Sequence, residues 1–264
     1  MRLLNYYIVS QVRGNTMNKN IVIGLCIIAL LTMWIIKKPV EQIPPNSIFV
    51  GTNAEFPPYT FFKDGQLTGF DIELITLIAQ QLKRPLNIKD MSFDGLVIQA
   101  QQGRIDVIAA GLTETPERAK RLLFTPAYIT NDPFIIVSLR NKNISHLSDL
   151  GGKKVVVNEG FTAERFMEEQ PNVTLIRLAT VSEAILAITT GQADAFVTAQ
   201  GAITPFLKQH TINTIVATPI PNTGDSIALA ISRKKPELAQ EITDIVTQFS
   251  NDGTIATLKQ KWNL

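Results

Sequence analysis

The chain has 264 residues, of which 45% are apolar and 18% charged, with a formal net charge of +2. That length suits one large domain or two small lobes. The balanced charge, with no run of five like charges, offers no footprint for nucleic acid. One cysteine and two histidines, His146 and His210, cannot assemble an ordinary zinc site, and no disulfide can form within the chain. No metal or cofactor is expected.

Residues 1–20 read as a short N-terminal region ahead of an apolar run from Ile21 to Ile36, interrupted only by Gly24 and Thr32. Lys19 precedes the run and Lys37-Lys38 follow it; Met17 is an alternative start. The run is long for a signal h-region and short for a membrane helix of about 20 residues. No small-x-small cleavage site follows, so a cleaved signal peptide and an uncleaved signal-anchor both stay open. Trp34 would suit a membrane interface. Cys26 follows Leu25, not the small residue expected before a lipid-modified cysteine. Residues 37–47, with Pro44-Pro45, read as a tether.

A β-rich run at Ile48–Val50 leads into a turn carrying Asn53 and Phe56, and Pro57-Pro58 then stop regular pairing. Gly69-Phe70-Asp71-Ile72-Glu73-Leu74 joins a strand-like approach to an amphipathic helix. Ile72, Ile75, Ile78, Ala79 and Leu82 recur at helical spacing, and Lys83-Arg84-Pro85 closes the run. Asp71 is expected to cap this helix. A second helix opens at Phe93-Asp94-Gly95-Leu96 and ends at Gly103. An apolar strand at Ile105–Ala110 runs into Gly111-Leu112-Thr113. Thr115 then reads as an N-cap with Pro116 as first helical residue, which sets Arg118 in the first turn.

Each of these segments sets polar or aromatic groups beyond the C-terminal end of a strand, where open α/β sheets bind small ligands. Backbone N–H groups around Gly111 and the helix start favour an anion. Arg118 can grip a carboxylate through two parallel hydrogen bonds.

The pattern from Leu96 to Val107 has an echo at Ala184–Ala195. Each is an apolar helix, a glycine, two residues, an aspartate and a buried strand. The repeat predicts two lobes of like construction. For the second, strands are expected at 153–157, 173–178, 193–197 and 214–217, with helices from Thr162 and over 182–190. Ser226–Ile231 is again strand-like, and 236–250 and 253–262 are helical.

Gly69 to Leu82 fits a family signature at every position: glycine, aromatic, acid, aliphatic, acid, aliphatic, then spaced aliphatic and small residues. Residues 48–264 thus resemble the periplasmic amino-acid-binding proteins, the solute receptors of polar amino-acid ABC importers. The resemblance implies an α/β, two-lobed periplasmic-binding-protein fold of type II, each lobe an open β-sheet flanked by helices. It places 48–127 plus 226–264 in lobe 1 and 133–220 in lobe 2. The two-strand hinge would lie at 127–132 and 221–225.

The resemblance also assigns roles in the cleft. Arg118, Thr113, Gly111 and Ala110 would hold a ligand carboxylate or ammonium. Phe56 and Phe93 would sandwich its side chain, which suits a guanidinium or amide. Thr162 would meet the carboxylate through its backbone N–H from the second lobe. Asn158, Thr198 and Asn53, which stands where many relatives carry Asp, would supply polar contacts. One departure is plain: Ala199 stands where relatives carry the aspartate that binds the α-ammonium. Another acid such as Asp225 or Glu159, water with Gln200, or a ligand lacking an ammonium each answers this.

The leading expectation is a monomeric, periplasmic receptor, not an enzyme. It would close on a small amino acid, with arginine or another basic or polar one favoured. The ABC permease and its ATPase would be separate chains, and the N-terminal segment would contact the membrane. The alternatives are a cyclohexadienyl-dehydratase-like enzyme or a binder of a non-amino carboxylate on the same scaffold.

Overall fold

The computed structural model describes residues 44–209 and 214–264. The apolar run at 21–36, Cys26, His210 and most of the tether lie outside the described residues. Among those described, no helix is long and apolar enough to cross a membrane.

The described residues open with β1 (Ile48–Thr52) and a meander of β2 (Glu55–Phe56), β3 (Thr60–Lys63) and β4 (Gln66–Thr68). Then follow α1 (Phe70–Leu82), β5 (Leu86–Asp90), α2 (Phe93–Gln102), β6 (Val107–Ile108), α3 (Pro116–Arg121) and β7 (Leu122–Phe124). The middle of the chain holds β8 (Ile129–Asp132), β9 (Phe134–Leu139), β10 (Lys154–Asn158), α4 (Thr162–Glu168), β11 (Thr174–Leu178) and α5 (Val181–Thr189). After β12 (Ala195–Ala199) and α6 (Gln200–Gln209) come β13 (Ile215–Pro219), β14 (Asp225–Ile227), β15 (Ala230–Ser232), α7 (Pro236–Asn251) and α8 (Thr254–Trp262).

Helix α1 buries Phe70, Leu74, Ile75, Ile78 and Ala79 on one face. Each large side chain of this kind contributes about 1.5–3 kcal/mol on leaving water. The helix stops where Lys83 turns left-handed at φ 54°, and Pro85 prevents its resumption. Asp71 does not cap α1. Gly69 holds the cap position, and Asp71, inside the first turn, faces inward and is fully buried. Its carboxyl accepts the Gly111 N–H at 2.7 Å and the Tyr128 hydroxyl at 2.7 Å.

Two five-stranded sheets result, in the orders β5-β1-β6-β15-β7 and β11-β10-β12-β9-β13. In each, three parallel strands meet an antiparallel fourth, and the fifth is antiparallel to that one. The sequence echo is thus matched by an echo of topology, and the two repeated aspartates explain it. Asp106 accepts the Phe49 N–H at 3.0 Å and returns its own N–H to the Phe49 carbonyl at 2.7 Å. Asp194 does the same with Lys154, at 3.1 and 2.8 Å. Each aspartate therefore fastens the start of its sheet's central parallel strand to the strand beside it.

The sheets are linked by the chain through β8 and β14, which pair antiparallel with each other. Three stretches differ from expectation. The strand at 105–110 reduces to Val107–Ile108, and Gly111 at φ 63° turns the chain beyond it. Ser226–Ile231 divides between β14 and β15, which pair with different sheets. The buried run Phe134–Val137 forms part of β9, and Gln200–Gln209 forms a helix, neither of which the sequence pattern had supplied. The C-terminal helices return to the first lobe. Lys261 and Trp262 of α8 bond Glu73 of α1 at 2.7 and 2.9 Å.

Candidate functional site: the interlobe cleft

Between the lobes lies a cavity of about 10 Å³, lined by Phe56, Phe93, Gly111, Thr113, Arg118, Phe161, Thr162, Ala199, Asp225 and Ile227. A wider hollow of about 460 Å³ adjoins it outward and shares Phe93, Arg118 and Thr162.

Local sequence explains each position. Gly111 must be glycine: its φ is 63°, and a Cβ there would run into the Phe56 ring. Thr115 caps α3 by accepting the Arg118 N–H at 3.2 Å, with Pro116 as its first residue, as the sequence predicts. The cap orients Arg118 towards the cleft. Its Nη1 donates to the Thr113 carbonyl at 2.9 Å and its Nη2 to the Gly160 carbonyl at 2.8 Å, which belongs to the other lobe. The guanidinium carbon stands 5.8 Å from the centre of the Phe93 ring. Burial pulls the Arg118 pKa down to about 10, with Asp225 opposing the fall, so the group stays charged at neutral pH.

Three phenylalanines form the apolar wall. Phe161 lies 4.6 Å from Phe93 and 5.5 Å from Phe56, ring centre to ring centre. Phe56 in turn stacks on Tyr59 at 5.0 Å. The same cavity is lined by Asp225, only 8% exposed. Its carboxyl accepts the hydroxyls of Thr162 and Thr113. Burial pushes its pKa up, while those two hydroxyls and Arg118 pull against that rise.

The structure brings Phe56, Phe93, Gly111, Thr113, Arg118 and Thr162 together around this cavity. Ala110 is fully buried behind it in an apolar cluster. Asn53 lies outside the lining and spends its amide on the Met91 carbonyl at 3.1 Å. Asn158 and Thr198 are also outside the lining, buried at the ends of β10 and β12, and the Oδ1 of one and the Oγ1 of the other lack partners among the described residues. Thr162 contributes through its hydroxyl, on Asp225, beyond the backbone role expected. Phe161 and Ile227 were not singled out by the sequence reading. The signal for Phe161 was its place just before the helix that Thr162 opens.

The fold and the cleft define the class: a two-lobed solute-binding architecture with a half-buried cation and a buried anion at its centre. Residues 48–264 match the model of the bacterial extracellular solute-binding proteins, family 3, and the chain belongs to that family. It is 29% identical over 224 residues to the probable ABC transporter arginine-binding protein ArtJ of Chlamydia trachomatis, covering 83% of this chain and 86% of the relative. A solved structure of an ancestral arginine-binding protein bound to arginine superposes with TM-score 0.77 at 32% identity, covering 82% of this chain and 98% of that one. The ancestral amino acid-binding protein AncCDT-1, a precursor of cyclohexadienyl dehydratase, gives TM-score 0.72 at 30% identity, covering 82% and 95%.

Proposed function

We propose that this chain is the receptor of an amino-acid ABC importer, which closes its two lobes around a polar amino acid and delivers it to a membrane permease. Arginine or another basic amino acid is favoured. The observation that carries this reading is Arg118, a charged guanidinium held in a cleft walled by three aromatic rings. A guanidinium so placed takes a carboxylate bidentately, and ring faces favour a planar or cationic side chain beside it. The ArtJ relative and the arginine-bound ancestral protein agree with that choice. Phe56, Phe93, Gly111, Thr113, Arg118 and Thr162 would form the site, with Ala110, Asn53, Asn158 and Thr198 behind or beside it.

The receptor would work in the periplasm as a monomer, beside a permease and an ATPase on other chains. The apolar segment at 21–36 would be its signal peptide or membrane anchor. Hinge motion would occur at 127–132 and 221–225.

The dehydratase reading keeps one support, the similarity to AncCDT-1. Against it, position 199 carries alanine, with no acid there to serve as proton donor, and the one carboxyl lining the cavity, Asp225, accepts the hydroxyls of Thr162 and Thr113. A thermal-shift panel of arginine, lysine, histidine, glutamine and prephenate tests the two. Stabilisation by a basic or polar amino acid is expected; turnover of prephenate would favour the enzyme.

A further inference from the structure

We propose that Asp225 holds the ligand's α-ammonium, in place of the acid that Ala199 does not provide. The assignment rests on the amino-acid receptor reading above. Ala199 lines the cavity with a methyl group, and of the residues around it only Arg118 and Asp225 carry charge. Asp225 is buried and Arg118 half-buried, and each feels the other's field. No direct ion pair joins them among the described residues: the two terminal nitrogens of Arg118 donate to the carbonyls of Thr113 and Gly160. A buried carboxylate and a half-buried guanidinium that share a cavity without pairing leave part of their desolvation uncompensated. A zwitterion between them completes both, its carboxylate on Arg118 and its ammonium on Asp225.

The other candidate acids are out of place. Glu159 is exposed and absent from the lining. Asp132, opposite Asp225 in the β8–β14 ladder, is tied to the Gly201 N–H at 2.9 and 3.2 Å. Asp225 itself binds only hydroxyls, those of Thr113 and Thr162. A hydroxyl can turn to a second acceptor when an ammonium arrives. Asp225 also lies on β14, one of the two strands linking the lobes, so the ammonium would be read at the linker and not at the end of β12.

The test is calorimetry on the full chain. The probes are the tightest of L-arginine, L-lysine, L-histidine and L-glutamine, and the same compound without its α-amino group. Asp225→Asn should weaken the amino acid about 10- to 100-fold, the scale of a charged hydrogen bond, and leave the desamino analogue unchanged. Asn retains an acceptor for the threonine hydroxyls, and the melting temperature of the free variant checks its fold. Adding Ala199→Asp to Asp225→Asn should recover affinity for the amino acid alone, a gain that misfolding cannot mimic. Wild-type affinity in Asp225→Asn, or equal loss for both probes, overturns the assignment and leaves the receptor reading standing. A wild type that binds none of the four amino acids overturns both.

Discussion

Arg118 donates from α3 of the first lobe to the Gly160 carbonyl of the second at 2.8 Å. The group best suited to a ligand carboxylate is therefore also a tie between the lobes. The ion pair between Glu117 and Arg165 runs alongside it, as does the contact of Phe93 with Phe161. These contacts shrink the cavity to about 10 Å³, near the minimum for a single water. An amino acid enters only if the walls part. A ligand touching both lobes would then stabilise the closed form through its differential contacts. Small-angle scattering should show a smaller radius of gyration with saturating ligand. Identical profiles with and without a tightly bound ligand would argue against the hinge.

The three aromatic walls should respond differently to truncation. Phe56 is 3% exposed and stacked on Tyr59, so Phe56→Ala should cost about 3–5 kcal/mol of stability as well as affinity. Phe93 and Phe161 are only partly buried. Their alanine variants should lose affinity with little loss of stability. Urea denaturation beside ligand titration separates the two behaviours, and a large stability loss in Phe93→Ala would assign that ring to the core.

Asp71 should be structural and not part of the ligand site. Asp71→Ala strands the Gly111 N–H and the Tyr128 hydroxyl in a buried position, at about 1–3 kcal/mol each. Asp71→Asn can still accept from Gly111 and donate to the tyrosine oxygen, so it should be much milder. Equal destabilisation by the two substitutions would contradict the paired role.

Burial pushes the carboxyls of Asp71 and Asp132 up to about 6 from 3.8. The folded protein then holds protons that the unfolded chain has released, and stability falls as pH rises across that window. Their contribution is complete below 3.8 and lost through about 6. For one group a displacement of this size is worth up to about 3 kcal/mol. Asp149, Asp194 and Asp252 are held below 3.8 and act in the opposite sense at lower pH. Asp132→Asn, which keeps an acceptor for Gly201, should flatten the decline between about pH 4 and pH 7. An unchanged slope in urea melts at several pH values would show that Asp132 does not titrate there.

Much of the first lobe was legible because its signals are local: helical spacing in α1, its end at Lys83-Arg84-Pro85, and the Thr115-Pro116 start that orients Arg118. The repeated Gly-x-x-Asp pattern foretold two like lobes, and the paired bonds of Asp106 and Asp194 show why the repeat exists. Tertiary effects were not legible. Nothing local told Asp71 to turn inward, since its partners Gly111 and Tyr128 are distant in sequence. The division of 226–231 between two sheets depends on strands far away in the chain. The cleft gathers residues from β14, α3 and the loop before α4, so the arrival of Phe161 opposite Phe93 and of Asp225 beneath Thr162 became visible only with the fold.

The most direct measurement is calorimetric titration of wild type, Arg118→Ala and Arg118→Lys with the best ligand of the amino-acid panel. If the cleft binds an amino acid through Arg118, the alanine variant should lose about 2–5 kcal/mol of binding free energy, much of it from leaving the ligand carboxylate unpaired. The lysine variant should also bind poorly, because a point charge cannot reproduce the guanidinium's two parallel bonds. Without ligand both should stay folded, Arg118→Ala melting below wild type because it loses the bonds to Thr113 and Gly160. Near-native affinity in Arg118→Ala would place the ligand elsewhere and contradict the account at its centre.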